Sequence, residues 1–164
     1  MNKKTIIIIT LITAAILGFM VWGYASMAGP TQAQLNEKSS LVASETLHDF
    51  GTISMANGKV DHQFEISNPT SEDITISKLQ TSCMCTTAYI VIGTSRVGPY
   101  GMPGMGGMTA ADSVIPANGT GTIDVVFDPG AHGPAGIGDI DRFIDATQKN
   151  GGTLQLEIKA VVTP

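Results

Sequence analysis

At 164 residues the chain has room for one ordinary domain and its appendages, which excludes a large multidomain enzyme. With 43% hydrophobic and only 14% charged residues it is too apolar for an intrinsically disordered chain. A net charge of −5, from 9 basic and 14 acidic residues, argues against a nucleic-acid partner.

Met1-Asn2-Lys3-Lys4 precedes an uncharged run from Thr5 to Ala28 whose centre is almost wholly apolar. About 20 such residues, at about 1.5 Å each, cross a hydrocarbon core of about 30 Å as one helix. Lys3 and Lys4 then stay cytoplasmic, Trp22 and Tyr24 sit at the far interface, and the remainder is exported. Residues 1–28 read as a retained signal anchor, because the apolar run is longer than a signal-peptide core; the alternative is a signal peptide cleaved after Ser26-Met27-Ala28. No lipobox-type cysteine follows the run, so no lipid anchor is expected. Residues 29–40 (GPTQAQLNEKSS) are polar and without periodicity, as expected of a membrane tether. The expected localisation is membrane-anchored, with the C-terminal domain, 41–164, outside the cytoplasm.

Within 41–164 the dominant signal is period-two alternation. Val60, His62, Phe64 and Ile66 share one face of a strand that Asn68-Pro69 stops. Ile123, Val125 and Phe127 alternate before Asp128-Pro129-Gly130, and Leu154, Leu156, Ile158, Ala160 and Val162 alternate to the C-terminus. Shorter runs at 44–50, 74–79, 86–92 and 142–146 bring the expected strands to about seven. Turn signals separate them: Asn57-Gly58, 70–73, Asn118-Gly119 and 150–152. Asn118-Gly119-Thr120 matches a glycosylation sequon, but Asn-Gly at a hairpin turn explains it as well. This pattern predicts an all-β fold, an Ig-like β-sandwich preceded by one N-terminal transmembrane helix. Two stretches, 93–113 and 128–139, are expected as long loops, where binding functions concentrate. The first holds the Met/Gly-rich segment 97–108.

Four fragments carry a family resemblance: His48-Asp49-Phe50-Gly51-Thr52-Ile53, Phe64-Glu65-Ile66-Ser67-Asn68, Thr81-Ser82-Cys83-Met84-Cys85-Thr86 and Phe127-Asp128-Pro129. In this order and spacing the exported part resembles the bacterial domain of unknown function 1573 family, which is similar in turn to the Ig-like modules of the ASPM–SPD-2–Hydin group. The chain departs from the family pattern at Met84, where a glycine usually separates the cysteines, and in its Met-rich insertion. The resemblance implies a β-sandwich in an exported or surface protein and no particular activity.

Cys83 and Cys85 are the only cysteines, in a compartment where thiols oxidise. Residues i and i+2 of a strand lie nearly 7 Å apart, at the limit for a disulfide, so a bridge needs a local turn. Strand geometry instead points both sulfurs one way, as a two-thiolate clamp for a soft ion such as Cu(I) requires. A third reading makes both cysteines small buried hydrophobes. Met102, Met105 and Met108 recur every three residues, which in polyproline II would align their thioethers along one edge, soft ligands for Cu(I); the alternative is an adaptable loop packing on the sandwich or a partner. His132 is a candidate ligand or a brace of its own loop. His48 and His62 read as structural side chains of their strands. No catalytic triad, zinc signature, carboxylate pair or phosphate loop is present, so no catalytic residue and no enzymatic activity is expected. The leading expectation is a membrane-tethered extracytoplasmic interaction module that needs no cofactor and binds an unknown protein or cell-envelope component. The alternative is a copper(I)-binding module using Cys83, Cys85 and the Met triplet, with His132 as an outside candidate.

Overall fold

Alternating inward and outward side chains pair into ladders when one face of each strand is apolar, and ten such segments assemble in the computed structural model, which describes residues 39–164. The helix expected over 1–28 and residues 29–38 of the expected tether lie outside the described residues. Among the described residues no helix is long and apolar enough to cross a membrane.

The strands are β1 (Val42–Ala43), β2 (Leu47–Ser54), β3 (Val60–Ser67), β4 (Ile74–Thr81), β5 (Thr86–Ile92), β6 (Ser95–Tyr100), β7 (Ala110–Ile115), β8 (Thr120–Phe127), β9 (Gly138–Gln148) and β10 (Thr153–Thr163). They form two five-stranded sheets, ordered β1-β3-β8-β5-β6 and β2-β10-β9-β4-β7. Every pairing is antiparallel except β2 with β10. The inner faces meet in one core, with Phe64, Ile66, Ile76, Leu79, Ile90, Ile115, Ile123, Val125, Ile144, Leu156 and Ile158 almost fully buried. Burying each such side chain contributes about 1.5–3 kcal/mol.

The count of about seven strands is corrected to ten. The stretch 93–113 is not one loop, since β6 and β7 occupy its ends and leave 101–109 between them. Tyr100, expected in the Met-rich loop, is 2% exposed and belongs to the core. The strand expected over 142–146 runs from Gly138 to Gln148, which shortens the second loop to 128–137 and a single 3-10 turn, Gly133–Gly136.

Two polar devices fix the sheets. The buried Gln148 side chain, oriented so that its oxygen accepts from Ser39 Oγ (2.6 Å), Leu41 N (3.0 Å) and Ser40 N (3.1 Å), docks the start of the domain. On the outer face of the first sheet, Arg96 Nε of β6 donates to Asp124 Oδ2 of β8 at 3.2 Å, its guanidinium 3.4 Å above the Tyr89 ring of β5. Asp124 is 9% exposed and its other oxygen has no partner. Arg96→Ala would therefore strand a mostly buried carboxylate and should cost about 1–2 kcal/mol in urea unfolding. Arg96→Lys should recover less than half, because the planar stack over Tyr89 is lost.

Candidate site at the crossover end of the sandwich

The features that stand out in the sequence are brought together because the chain changes sheets at one end of the sandwich. β4 passes to β5 through the turn 82–85, β6 to β7 through 101–109, and β8 to β9 through 128–137, each time from one sheet to the other. The registers place these connections together: Thr86 pairs with Phe127, Thr81 with Ile144, Ala88 with Tyr100 and Lys78 with Ala110.

The cysteine turn is held on every side by bonds that do not involve sulfur. Thr81 Oγ1 donates to the carbonyls of Cys83 (3.0 Å) and Thr86 (2.9 Å). Ser82 N donates to Phe143 O, and Phe143 N to Ser82 Oγ, both at 2.9 Å. Asp128 N donates to Cys85 O at 2.8 Å. Because this is a turn, the Cα atoms of Cys83 and Cys85 are 5.3 Å apart, inside the range for a bridge, and the two residues are disulfide-bonded. The extended-strand separation of nearly 7 Å does not apply here.

Each sulfur faces a nitrogen. His132 Nε2 lies 3.2 Å from Cys83 Sγ, and Arg142 Nε of β9 donates to Cys85 Sγ at 3.4 Å. Cys83 is half-buried, Cys85 buried and His132 exposed, and the ligand atoms of these three residues all lie within 4.8 Å of one another. A closed disulfide offers no thiolate to a metal. Reduction by two electrons and two protons would open two thiols with the Arg142 guanidinium and the His132 imidazole beside them.

The Met loop is tied to the same turn. Thr81 N donates to Gly101 O at 3.2 Å, and Gly101 N to Met108 O at 3.0 Å. The loop neck closes so tightly that a Cβ on Gly107 would stand 2.7 Å from Gly101 Cα, which only glycine permits. Met105 N donates to Met102 O at 3.2 Å, a turn, so the polyproline II arrangement expected of the triplet is not adopted. Met102 and Met105 line an open pocket of about 270 Å³ with Met84, Thr86, Thr87, Pro99 and Tyr100, while Met108 is not among its lining residues. Met84, Met105 and Met108 are 49%, 56% and 50% exposed, a large apolar presentation for one loop end. Met84, absent from the sequence-derived candidates, joins the Met face because the cysteine turn points it outward.

A second cluster lies on the flank where β2 and β3 face each other. His48 of β2 and His62 of β3 stack with ring centroids 3.5 Å apart and planes 7° from parallel. His62 Nε2 is 2.7 Å from Glu45 Oε1. Burial, followed by the neighbouring His62, lowers the His48 pKa below its ordinary value, against the opposing pull of Glu45 and Asp49. Thirteen intervening residues and a change of sheet separate the two histidines. The one signal in the sequence is that His62 shares its face with Val60, Phe64 and Ile66.

Residues 41–98 match the family model described as "Protein of unknown function (DUF1573)". Over that stretch the chain is similar to this family. The match includes the cysteine turn but ends at Gly98, before the Met loop and the connection that supplies His132. The fold is similar to that of a protein of unknown function from Porphyromonas gingivalis W83, with TM-score 0.54 and 16% identity over 74% of this chain and 46% of that one. The chain thus spans about half the length of that protein. Other similar structures are the ASH/PapD-like domain 7 of human CEP192 (TM-score 0.46, 14% identity, 84% of this chain and 95% of that one) and the CupB2 chaperone of Pseudomonas aeruginosa (TM-score 0.40, 14% identity, 74% and 55%). At these identities the likeness is one of fold. No curated protein matches the chain.

Proposed function

We propose that this chain is a membrane-tethered, extracytoplasmic Ig-like interaction module without catalytic activity, and that it meets a protein or cell-envelope partner through the crossover end of the sandwich. One observation carries the reading: Met84, Met102 and Met105 line an open pocket on an end held rigid by the anchored cysteine turn. Flexible, polarizable thioethers adapt to varied apolar surfaces, and a rigid base keeps the entropic cost of presenting them small. The domain acts outside the cytoplasm on this reading, with the apolar segment of residues 5–28 holding it to the membrane.

The test is a photoreactive amino acid placed in the full chain in its native membranes, at Met105 or Met84, with Val114 and Val161 as exposed controls elsewhere. Discrete adducts at the two methionine positions, absent from the controls, are expected. The same adducts at all four positions, or none anywhere, would sink the reading.

A second reading is favoured by the 3.2 Å approach of His132 Nε2 to Cys83 Sγ: a soft-metal centre in which reduced Cys83 and Cys85, with His132, hold Cu(I). Met102, Met105 and Met108 would then serve as auxiliary thioethers on the neighbouring loop. Its test is a Cu(I) titration of the reduced chain.

A further inference from the structure

Glu45, His48 and His62 belong to neither reading, yet they gather two imidazoles and a carboxylate where the two sheets meet at an open flank. β2 is an edge strand of one sheet, β3 lies next to the edge of the other, and Glu45 sits in the link between β1 and β2. One ligand atom from each of the three residues lies within 4.8 Å of the others. Aromatic edges hold the ring pair from either side. Phe50 meets His48 at 4.6 Å and 82°, and Phe64 meets His62 at 4.8 Å and 83°. The Glu45 side chain is 46% exposed and that of His62 21%, so the cluster opens to solvent on its carboxylate side.

We propose that Glu45, His48 and His62 form a binding site for a divalent transition ion of the Zn²⁺ class, which joins the two sheets across this flank. The donor set is two imidazole nitrogens and one carboxylate oxygen, which suits Zn²⁺, Ni²⁺ or Cu²⁺ and disfavours Mg²⁺ and Ca²⁺. Bonds of about 2.0–2.1 Å at tetrahedral angles require donor atoms about 3.3 Å apart. The Glu45 oxygen and His62 Nε2 are already closer than that, so the ion replaces their hydrogen bond. Parallel rings send their in-plane lone pairs side by side, so His48 must rotate out of the stack to converge on the ion. Three protein ligands leave a fourth position for water.

The experiment uses the full chain with its disulfide intact, stripped with a chelator and titrated with Zn²⁺ alone by calorimetry and thermal melting. One equivalent should bind in the micromolar range or tighter and raise the melting temperature by several degrees. His48→Gln with His62→Gln should weaken binding at least a hundredfold and Glu45→Gln about tenfold, while His132→Ala leaves it unchanged. In the unsubstituted chain, Zn²⁺ should shift the ring-nitrogen resonances of His48 and His62 and not those of His132, a readout that does not depend on the variants folding. Absence of binding, binding that survives in the double variant, or shifts confined to His132 would overturn the proposal.

Discussion

Asn68→Ala should lower the stability of the domain by about 3–5 kcal/mol and its melting temperature by about 10–20 °C. Asn68 is 1% exposed, at the end of β3, and every polar atom of its side chain is engaged. Its Nδ2 donates to the carbonyls of Glu72 (2.7 Å), Ile115 (3.1 Å) and Pro116 (3.0 Å). Its Oδ1 accepts from Thr70 N (3.0 Å) and Thr70 Oγ1 (2.7 Å). One amide thus holds the β3–β4 connection against the end of β7, tying one sheet to the other. Alanine removes the donors: Pro116 O keeps Gly119 N (2.8 Å) and Glu72 O keeps Thr70 Oγ1 (3.0 Å), but the carbonyl of the fully buried Ile115 loses its side-chain donor and Thr70 loses its acceptor, the expensive half of a lost hydrogen bond. Asn68→Asp, with the same shape but an acceptor facing three carbonyls, should be at least as damaging at neutral pH. Thr70→Val, which deletes one hydroxyl, should cost only about 1 kcal/mol. Urea unfolding of the three variants checks the ordering, and an Asn68→Ala loss below about 1 kcal/mol would refute the bridging role.

This asparagine also illustrates what the sequence does and does not disclose. Strands β3, β8 and β10 are readable residue by residue, because each buries one face against the core and alternation is the only pattern that does so. β6 is invisible because Ser95, Arg96, Val97 and Pro99 are all exposed, so an edge strand with Gly98-Pro99 inside it looks like a loop. β7 is hidden for a related reason: only Ser113 and Ile115 of its six residues are buried. Ile140, Ile144 and Ala146 do alternate along β9, but the Asp-rich flanks of that run disguise its length. Asn68 itself reads as a strand stop next to Pro69, whereas its work is done by carbonyls more than forty residues away.

The candidate site divides in the same way. Cys83, Cys85, the methionines and His132 are conspicuous in composition, yet their meeting depends on three sheet-to-sheet crossovers falling at one end, which is a property of topology. Arg142 beside Cys85 and Met84 beside Met102 and Met105 follow from turn geometry that no spacing rule contains. The stacked histidines are less legible still. Each is an ordinary inward-facing strand residue, and only the packing of β2 over β3 makes them a pair.

Cu(I) titrated into the full chain under reducing conditions, against a competing chelator, should bind one to one if the second reading holds, and Cys83→Ser with Cys85→Ser should abolish that binding, by at least about a thousandfold, since thiolates are the dominant soft ligands. His132→Ala should weaken it by about tenfold to a hundredfold, because the imidazole already stands 3.2 Å from Cys83 Sγ and completes a three-coordinate set. The serine variant should still fold. The turn is anchored through Thr81, Ser82 and Asp128, none of which uses sulfur, and a bridge closing so short a loop restrains the unfolded chain by only about 1–2 kcal/mol. Oxidised chain should take up no Cu(I) at this end, because the bridge between Cys83 and Cys85 consumes both thiolates. Replacing Met102 and Met105 by serine separates the two readings. A metal centre with auxiliary thioethers loses part of its Cu(I) affinity and keeps its melting temperature, whereas an interaction surface loses its adducts at position 84 and leaves metal uptake untouched. Binding that persists in the double serine variant would show that the cysteine turn is not the ligand, and the interaction module would then stand alone.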